Sequence, residues 1–200
     1  WTSGNKEVFR KYVRSIFDVF MIAIVPIVIG TQVVARDVIN LIAGGQFIEA
    51  APVLQLLMIA IFLVSISTLF GHLVVALDKQ KPMIWGYLSV AVISVIGFMI
   101  FIPTYGMWGA AVMTIVSEAL IAIITFVVVA RVSKAKINLM VLLKSLLSGG
   151  LMYALLMLLP QRYLLFDVVL GGAIYISSML ALKAIDVNTM KDMIKKPTQV

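Results

Sequence analysis

The chain has 200 residues, of which 62% are apolar and 12% are charged. Soluble domains average about 45–50% apolar and 25% charged residues, so this composition excludes an ordinary soluble domain and indicates a membrane protein. The absence of cysteine excludes disulfides and thiol chemistry. The net charge is +7, but the sequence shows no cluster of aromatic and basic residues of the kind that lines a nucleic-acid-binding groove. Loops that face anionic lipid explain this charge, and no nucleic-acid partner is expected.

Six long apolar stretches follow one another along the chain, and each is close to the ~20 residues that a helix needs to cross a ~30 Å hydrocarbon core. They cover residues 16–43, 52–77, 83–102, 107–130, 139–159 and 163–182. A basic amphipathic segment, residues 1–15, precedes them and is predicted to form a helix on the membrane surface. A tail, residues 184–200, follows them. The predicted fold is all-α, a polytopic membrane protein with six transmembrane helices.

The loops between these stretches alternate in charge. Thirteen of the 16 Lys and Arg residues precede the first span, lie in the second and fourth loops, or follow the last span, and the exceptions are Arg36, Lys144 and Arg162. Cytoplasmic loops carry the excess of Lys and Arg, so both termini of this chain are predicted to be cytoplasmic. Because the chain begins at Trp1 rather than at a methionine, it is expected to be part of a longer protein.

Glycine and proline residues predict where helices turn and touch. Pro103 is expected to stop the third helix, and Gly106 and Gly109 are expected to let the third and fourth helices begin almost in contact. The glycine pairs 149–150 and 171–172 lie near the middle of the last two spans. Small residues let membrane helices approach closely, so these two helices are predicted to pack on each other.

Ionisable side chains within the spans are the candidate functional residues, because a charge near the membrane centre costs about 2.5–3.5 kcal/mol on insertion scales. Glu118 lies about halfway along the fourth span, where it either bridges helices or is protonated, or else faces a wet cavity. Lys144 lies about 9 Å inside the fifth span and either snorkels to the interface or offers a charge to a phosphate. Arg36 is next to Asp37. It is either an interfacial anchor or part of a local ion pair, or it offers a second positive charge to a phosphate.

The remaining polar residues predict no catalysis. His72, Asp18 and Asp167 lie near the ends of spans and are interpreted as interfacial, solvated or paired groups. The chain contains no GxGxxG, Walker, HExxH or GxSxG motif, and a single histidine without cysteine argues against a transition-metal site. No catalytic residue, cofactor or metal is therefore predicted.

Four short runs have the residues of a known transporter family. Residues 25–27 read VPI, 44–54 read GGQFIEAAPVL, 73–81 read LVVALDKQK, and 102–111 read IPTYGMWGAA and are followed by Ser117-Glu118. In this order and at these separations, the runs resemble bacterial polysaccharide flippases of the O-antigen and capsule type. That family belongs to the superfamily of multidrug and toxin extruders and lipid II flippases.

The resemblance covers nearly the whole chain, but only the second lobe of a fourteen-helix transporter. It implies that residues 16–131 are the four helices of this lobe that the chain contains. Residues 138–183 would be two extra C-terminal helices, and the N-terminal lobe of the same protein would be missing here. The two lobes of such a transporter rock around a central cavity.

The implied function is translocation of a polyprenyl-pyrophosphate-linked oligosaccharide across the bacterial cytoplasmic (inner) membrane, for surface-polysaccharide synthesis. Arg36 and Lys144 would then neutralise the pyrophosphate, and Glu118 would couple the transport to H⁺ or Na⁺. Besides this cargo, the expected partners are membrane lipids and the missing lobe. Two alternatives stay open: a cation-coupled multidrug antiporter of the same superfamily, and a non-transporting membrane scaffold or glycan-handling enzyme.

Overall fold

The computed structural model describes residues 6–133, 139–159 and 163–183, and every regular element within these ranges is helical. The elements are α1 (Lys6–Ala43), a short 3-10 helix (Gly45–Ala50), α2 (Ala51–Ala76), α3 (Gln80–Ser133), α4 (Leu139–Leu158) and α5 (Leu164–Ala181). Five helices in the described ranges are long and apolar enough to cross a membrane. The expectation of an all-α fold is confirmed, and the long apolar helices are compatible with the expected membrane protein.

α1 is a single helix through the predicted boundary between the amphipathic segment and the first span. The surface location of that segment stays a prediction. Arg162 and the tail from residue 184 onwards lie outside the described residues.

The difference from six predicted spans lies in α3, which is 54 residues long and contains both the third and the fourth. A straight helix of this length would measure about 80 Å. The helical conformation is interrupted at Gly106, where φ is 56° and ψ is −132°, a combination that residues with a β-carbon rarely adopt. Pro103 stays within the helical run, so the prediction that it ends the helix is wrong and the break comes at the glycine.

The two arms of α3, residues 80–105 and 107–133, fold back on each other. Three contacts join the arms: Gly109 lies against Phe101, Gly97 against Met113, and Gly86 against Ile124. In each pair the two residues are equally far from Tyr105 in the sequence, as partners in an antiparallel hairpin must be. A β-carbon at Gly109 would overlap the carbonyl of Phe101, so the arms meet most closely just after the turn, as the sequence predicts.

The hairpin packs mainly on α2, whereas α1 contacts α2, α4 and α5. One buried apolar cluster joins α1, α2 and the open end of the hairpin around Phe70, which is 1% exposed. The Phe70 ring lies 5.3 Å from the Phe126 ring in an edge-to-face arrangement, a favoured geometry for aromatic pairs. A second cluster joins α1, α4 and α5 around Val25, Met152 and Met179. Ile24, Phe62 and Leu142 pack against both clusters, so α1 links two adjoining packed regions.

The glycine pairs of the last two helices behave differently from each other. α4 and α5 pack together as predicted, and Gly171 of α5 lies against Leu156 of α4. Gly149, however, faces Ile29 and Val25 of α1. The pairing predicted from the sequence is thus confirmed for Gly171 and wrong for Gly149, because the spacing of a motif does not say which neighbouring helix it meets.

Candidate functional site between α1, α4 and α5

A groove of about 390 Å³ lies between α1, α4 and α5. Gly172 leaves open space in its wall, which is otherwise formed mostly by apolar side chains such as Met152. Its polar side chains are Thr31, whose hydroxyl donates to the Ile27 carbonyl at 2.8 Å, and Asp167. Asp167 lies in the first turn of α5, where the helix dipole favours a negative charge. A groove of this composition suits a hydrocarbon chain better than a hydrated solute.

A hydrogen bond next to the groove joins α1 to α5. Pro26 has no N–H, so the carbonyl of Ile22, four residues earlier, lacks its donor within the helix. The hydroxyl of Tyr175 donates to this carbonyl at 3.0 Å, and Tyr175 is 4% exposed. A side chain from another helix therefore satisfies the backbone acceptor, as a proline within a membrane helix requires.

Three buried polar atoms in this region have no hydrogen-bond partner in the described chain. They are Oδ1 of Asp18 and the hydroxyls of Ser145 and Ser148. Both serines are 0% exposed, and Ser145 faces the Tyr175 hydroxyl without a hydrogen bond of normal geometry. Arg14 acts on the Asp18 carboxylate through its charge, in keeping with the interpretation of Asp18 as a paired group, whereas Oδ1 itself has no hydrogen bond within the described chain. No signal in the sequence separates these serines from others in the helices.

The three residues that the sequence nominates lie on three different helices. Lys144 on α4 donates from Nζ to the carbonyl of Lys183 at 3.3 Å, just beyond α5. The last carbonyls of a helix lack intrahelical donors and attract cations, so this contact matches the snorkelling interpretation. Arg36 on α1 is exposed, and Glu118 on α3 is half-buried. In the described ranges, Glu118 has no hydrogen bond or ion pair.

The structure does not bring these three residues together. Ser145 lies at the level of Ile22, so Arg36 is about 20 Å farther along α1 than the level of Lys144. One pyrophosphate is much shorter than this distance and does not reach both cations in this conformation. Among the residues that the structure describes, no three His, Asp or Glu side chains group together as metal ligands.

A reciprocal amide pair that the sequence does not single out joins α1 to α2. Nε2 of Gln32 donates to the backbone carbonyl of Gln55 at 3.1 Å, and Nε2 of Gln55 donates to that of Gln32 at 2.7 Å. The signal in the sequence would have been a glutamine on its own within each of two apolar helices. Their contact depends on the register of α1 against α2, which no local pattern sets.

Comparison of the chain with protein-family models, with curated proteins and with solved structures finds no match.

Proposed function

We propose that the chain crosses the membrane six times, with each arm of the α3 hairpin forming one crossing. Each arm is about 40 Å long at 1.5 Å per residue, which is sufficient for a ~30 Å hydrocarbon core. On the first arm, Trp85 and Tyr105 are 73% and 61% exposed and are separated by about 30 Å of helix. This separation matches the two belts of interfacial aromatic residues in membrane proteins.

Reporter fusions test this topology. A reporter fused after Lys81 or Ala135 is expected to be cytoplasmic, and one fused after Thr104 extracytoplasmic. A cytoplasmic signal at Thr104 would show that the hairpin does not cross the membrane. The fusion after Gly45 is expected to be extracytoplasmic, and a cytoplasmic signal there would reverse the proposed orientation.

On this scaffold, we propose that the protein translocates a polyprenyl-pyrophosphate-linked oligosaccharide across the bacterial inner membrane. The observation that carries the proposal is the apolar groove between α1, α4 and α5, since its lining suits an isoprenoid chain. The order and spacing of the sequence runs that resemble polysaccharide flippases support the same cargo. The glycan and the pyrophosphate would move through a wet cavity completed by the other lobe.

The positions of the two cations suggest successive contacts with the pyrophosphate. In the proposed orientation, Lys144 lies towards the cytoplasmic end of α4, where the pyrophosphate of the cargo begins its passage. Arg36 lies about 20 Å farther out, where the passage ends. An unpaired anion in a low-dielectric region is unfavourable, so each cation would stabilise the cargo at one end of the passage.

Two glycines on α4 and α5 provide a matched test of the groove. A β-carbon at Gly172 or at Gly150 would have nothing within 4 Å, but only Gly172 lines the groove. In the full-length protein, Gly172→Leu is expected to fill the groove and reduce surface glycan severalfold, while Gly150→Leu leaves it unchanged. Lipid-linked repeat units would then accumulate in the cytoplasmic leaflet at normal protein abundance. Equal export by both variants would contradict the role of the groove.

The charges are tested separately from the groove. Lys144→Ala and Arg36→Ala are each expected to slow export, and Lys144→Arg is expected to have a milder effect because it keeps the charge. Lys81→Ala, which changes a charge in a predicted cytoplasmic loop, is the control. Normal surface glycan in both Ala variants would place the pyrophosphate contacts on other residues.

The alternative of a cation-coupled antiporter is favoured by one observation, the half-buried carboxylate of Glu118 without a partner in the described chain. Such a residue within a membrane helix is a candidate ion or proton site. Because the chain has no native cysteine, a single Cys at position 118 can be tested with a water-soluble thiol reagent, with Cys at Val116 as the control. Reaction at position 118 alone, together with transport of solutes without a lipid carrier, would favour the antiporter.

A further inference from the structure

One face of α2 carries polar side chains along the half of the helix that ends at Ala76. Ser65, Thr68 and His72 follow one another at spacings of three and four residues, so they lie on the same face. Thr68 and His72 are exposed, and Ser65 is half-buried. The three residues lie about 6 to 16 Å from the end of α2, which is as far as the middle of a ~30 Å hydrocarbon core. Together they form the polar α2 face.

The exposed face of α4 at the same distances from its end is apolar. Leu143, Leu147 and Leu151 are exposed there, about 6 to 18 Å from the start of the helix at Leu139. Polar side chains within membrane spans face the protein interior or a water-filled cavity rather than lipid. The exposed face of α4 therefore suits contact with lipid, whereas the polar α2 face suits contact with water or a polar solute.

Thr68 has a hydroxyl group that its own helix does not satisfy. In the described helices, the other threonines donate to the carbonyl four residues earlier, namely Thr31, Thr104, Thr114 and Thr125. For Thr68 this acceptor would be the Val64 carbonyl, which already accepts from the Ser67 hydroxyl at 3.0 Å and from a backbone N–H. A carbonyl oxygen has two lone pairs, so none is left for Thr68. Its hydroxyl therefore needs a partner outside α2.

Two further hydrogen-bonding groups lie beside Thr68. His72 is one helical turn away, and a neutral imidazole both donates and accepts hydrogen bonds. The Tyr87 hydroxyl, from the first arm of α3, lies 3.8 Å from the position of a β-carbon on Gly71, which precedes His72. Within the described ranges, neither the imidazole nor the phenol has a hydrogen bond. These groups include no carboxylate, lysine or arginine, so the polar α2 face is suited to an uncharged polar ligand.

We propose that the polar α2 face lines the path of the glycan, with Thr68 and His72 hydrogen-bonded to its hydroxyl groups and Tyr87 at the edge. Donors and acceptors without fixed charge complement a neutral polyol, whereas a phosphate favours cations and a divalent metal favours carboxylates. This inference rests on the proposed translocation of a lipid-linked oligosaccharide. The glycan of such a cargo is hydrated and its polyprenyl chain is apolar, so the polar α2 face and the groove would serve different parts of it.

Cysteine labelling tests whether this face is wet. In the full-length protein, with any cysteines outside this chain replaced, Thr68→Cys and His72→Cys are expected to react in membrane vesicles with a charged, water-soluble thiol reagent. Leu147→Cys is the control, because Leu147 is 66% exposed but lies on the apolar face of α4, and it is expected to be inert. Inertness of all three variants would overturn the proposal.

The cargo itself tests the assignment to a glycan. In vesicles that contain the cell's own lipid-linked repeat units, labelling of Thr68→Cys is expected to be severalfold slower than in vesicles from cells that do not make these units. Equal labelling rates in the two kinds of vesicle would show that the face is wet without being the path of the glycan, and would overturn the proposal.

Export measures what the hydroxyl group contributes. Thr68→Val keeps the shape of the side chain without its hydroxyl, and it is expected to reduce surface glycan severalfold at normal protein abundance. Thr104→Val, which removes a hydroxyl bonded within its own helix, is the matched control, and equal export by both variants would contradict a contact between Thr68 and the glycan. Failure of the proposed function has a different signature, because surface glycan would then stay normal in cells that lack the whole protein.

Discussion

The α3 hairpin and the interface between α1, α4 and α5 satisfy their polar side chains in different ways. In the hairpin, each Ser and Thr side chain that the structure describes donates to the carbonyl four residues earlier. These residues are Ser89, Ser94, Thr104, Thr114, Ser117 and Thr125. In the other interface, the Tyr175 hydroxyl bonds to a different helix, and Ser145 and Ser148 have no partner among the described residues.

The hairpin satisfies its Ser and Thr hydroxyls within its own helices, whereas the other interface contains buried polar atoms without a hydrogen-bond partner in the described chain. The hairpin arms require only close backbone approach at glycines, and their hydroxyls need nothing outside their own helices. The α1, α4 and α5 interface combines a groove, a carbonyl freed by a proline, and unpartnered oxygens. In the proposed transporter, the hairpin would serve as scaffold and the other interface would hold the cargo. Glu118 is the exception, since it is a carboxylate of the hairpin that has no partner in the described chain.

The largest expected effect tests the close approach in the hairpin. Gly109→Ala places a β-carbon onto the backbone carbonyl of Phe101, which cannot move aside as a flexible side chain would. We expect a loss of about 3 kcal/mol in the free energy of unfolding, at the upper end for overpacking. Unfolding in mixed micelles with increasing SDS would measure it. Gly150→Ala, with nothing within 4 Å of the new carbon, is the control, and an equal effect of both changes would contradict the hairpin contact.

The next largest loss of stability is expected for a substitution in the turn of the hairpin. Gly106→Ala forces a residue with a β-carbon into φ 56°, ψ −132°, and such strained backbone costs about 1–3 kcal/mol. We expect the same unfolding assay to show a loss within this range. A neutral result would mean that the two arms can reverse direction without the glycine conformation.

A smaller effect tests whether α1 and α5 depend on each other. Tyr175→Phe removes the donor to the Ile22 carbonyl and is expected to lower the free energy of unfolding by about 1 kcal/mol. In a Pro26→Ala background, the new N–H can donate to that carbonyl, so Tyr175→Phe should cost less there. A double-mutant cycle measures this coupling. Additive effects would show that the hydrogen bond does not compensate for the proline.

The smallest effect concerns the amide pair between α1 and α2. Gln32→Ala is expected to lower the free energy of unfolding by about 0.6 kcal/mol, the average for polar contacts between membrane helices. Gln55→Ala is expected to add a similar loss in the Gln32→Ala background, because each amide donates to a backbone carbonyl that alanine keeps. A double variant no less stable than either single variant would contradict two separate hydrogen bonds.

The sequence predicted the helices better than their contacts. The apolar stretches correspond to α1, α2, α4 and α5, because a membrane requires long uninterrupted apolar segments and these are visible in composition alone. The turn near Gly106 was also predicted, although Pro103 was wrongly expected to end the helix. Proline stays within a helical run when only one donor is lost, whereas a chain reversal needs the dihedral angles that glycine allows.

The candidate site shows what hydropathy and spacing leave open. A rare charge in an apolar span is conspicuous, so Glu118, Lys144 and Arg36 were nominated from the chain as it is written. Ser145 and Ser148 look like any helical serine, and no sequence pattern singles out Tyr175. Their roles come from the packing of α4 and α5 against α1, which buries the two serine hydroxyls and brings the Tyr175 hydroxyl to a proline-freed carbonyl. Helical periodicity says which residues share a face, but the neighbour of that face is settled by side-chain packing between distant segments.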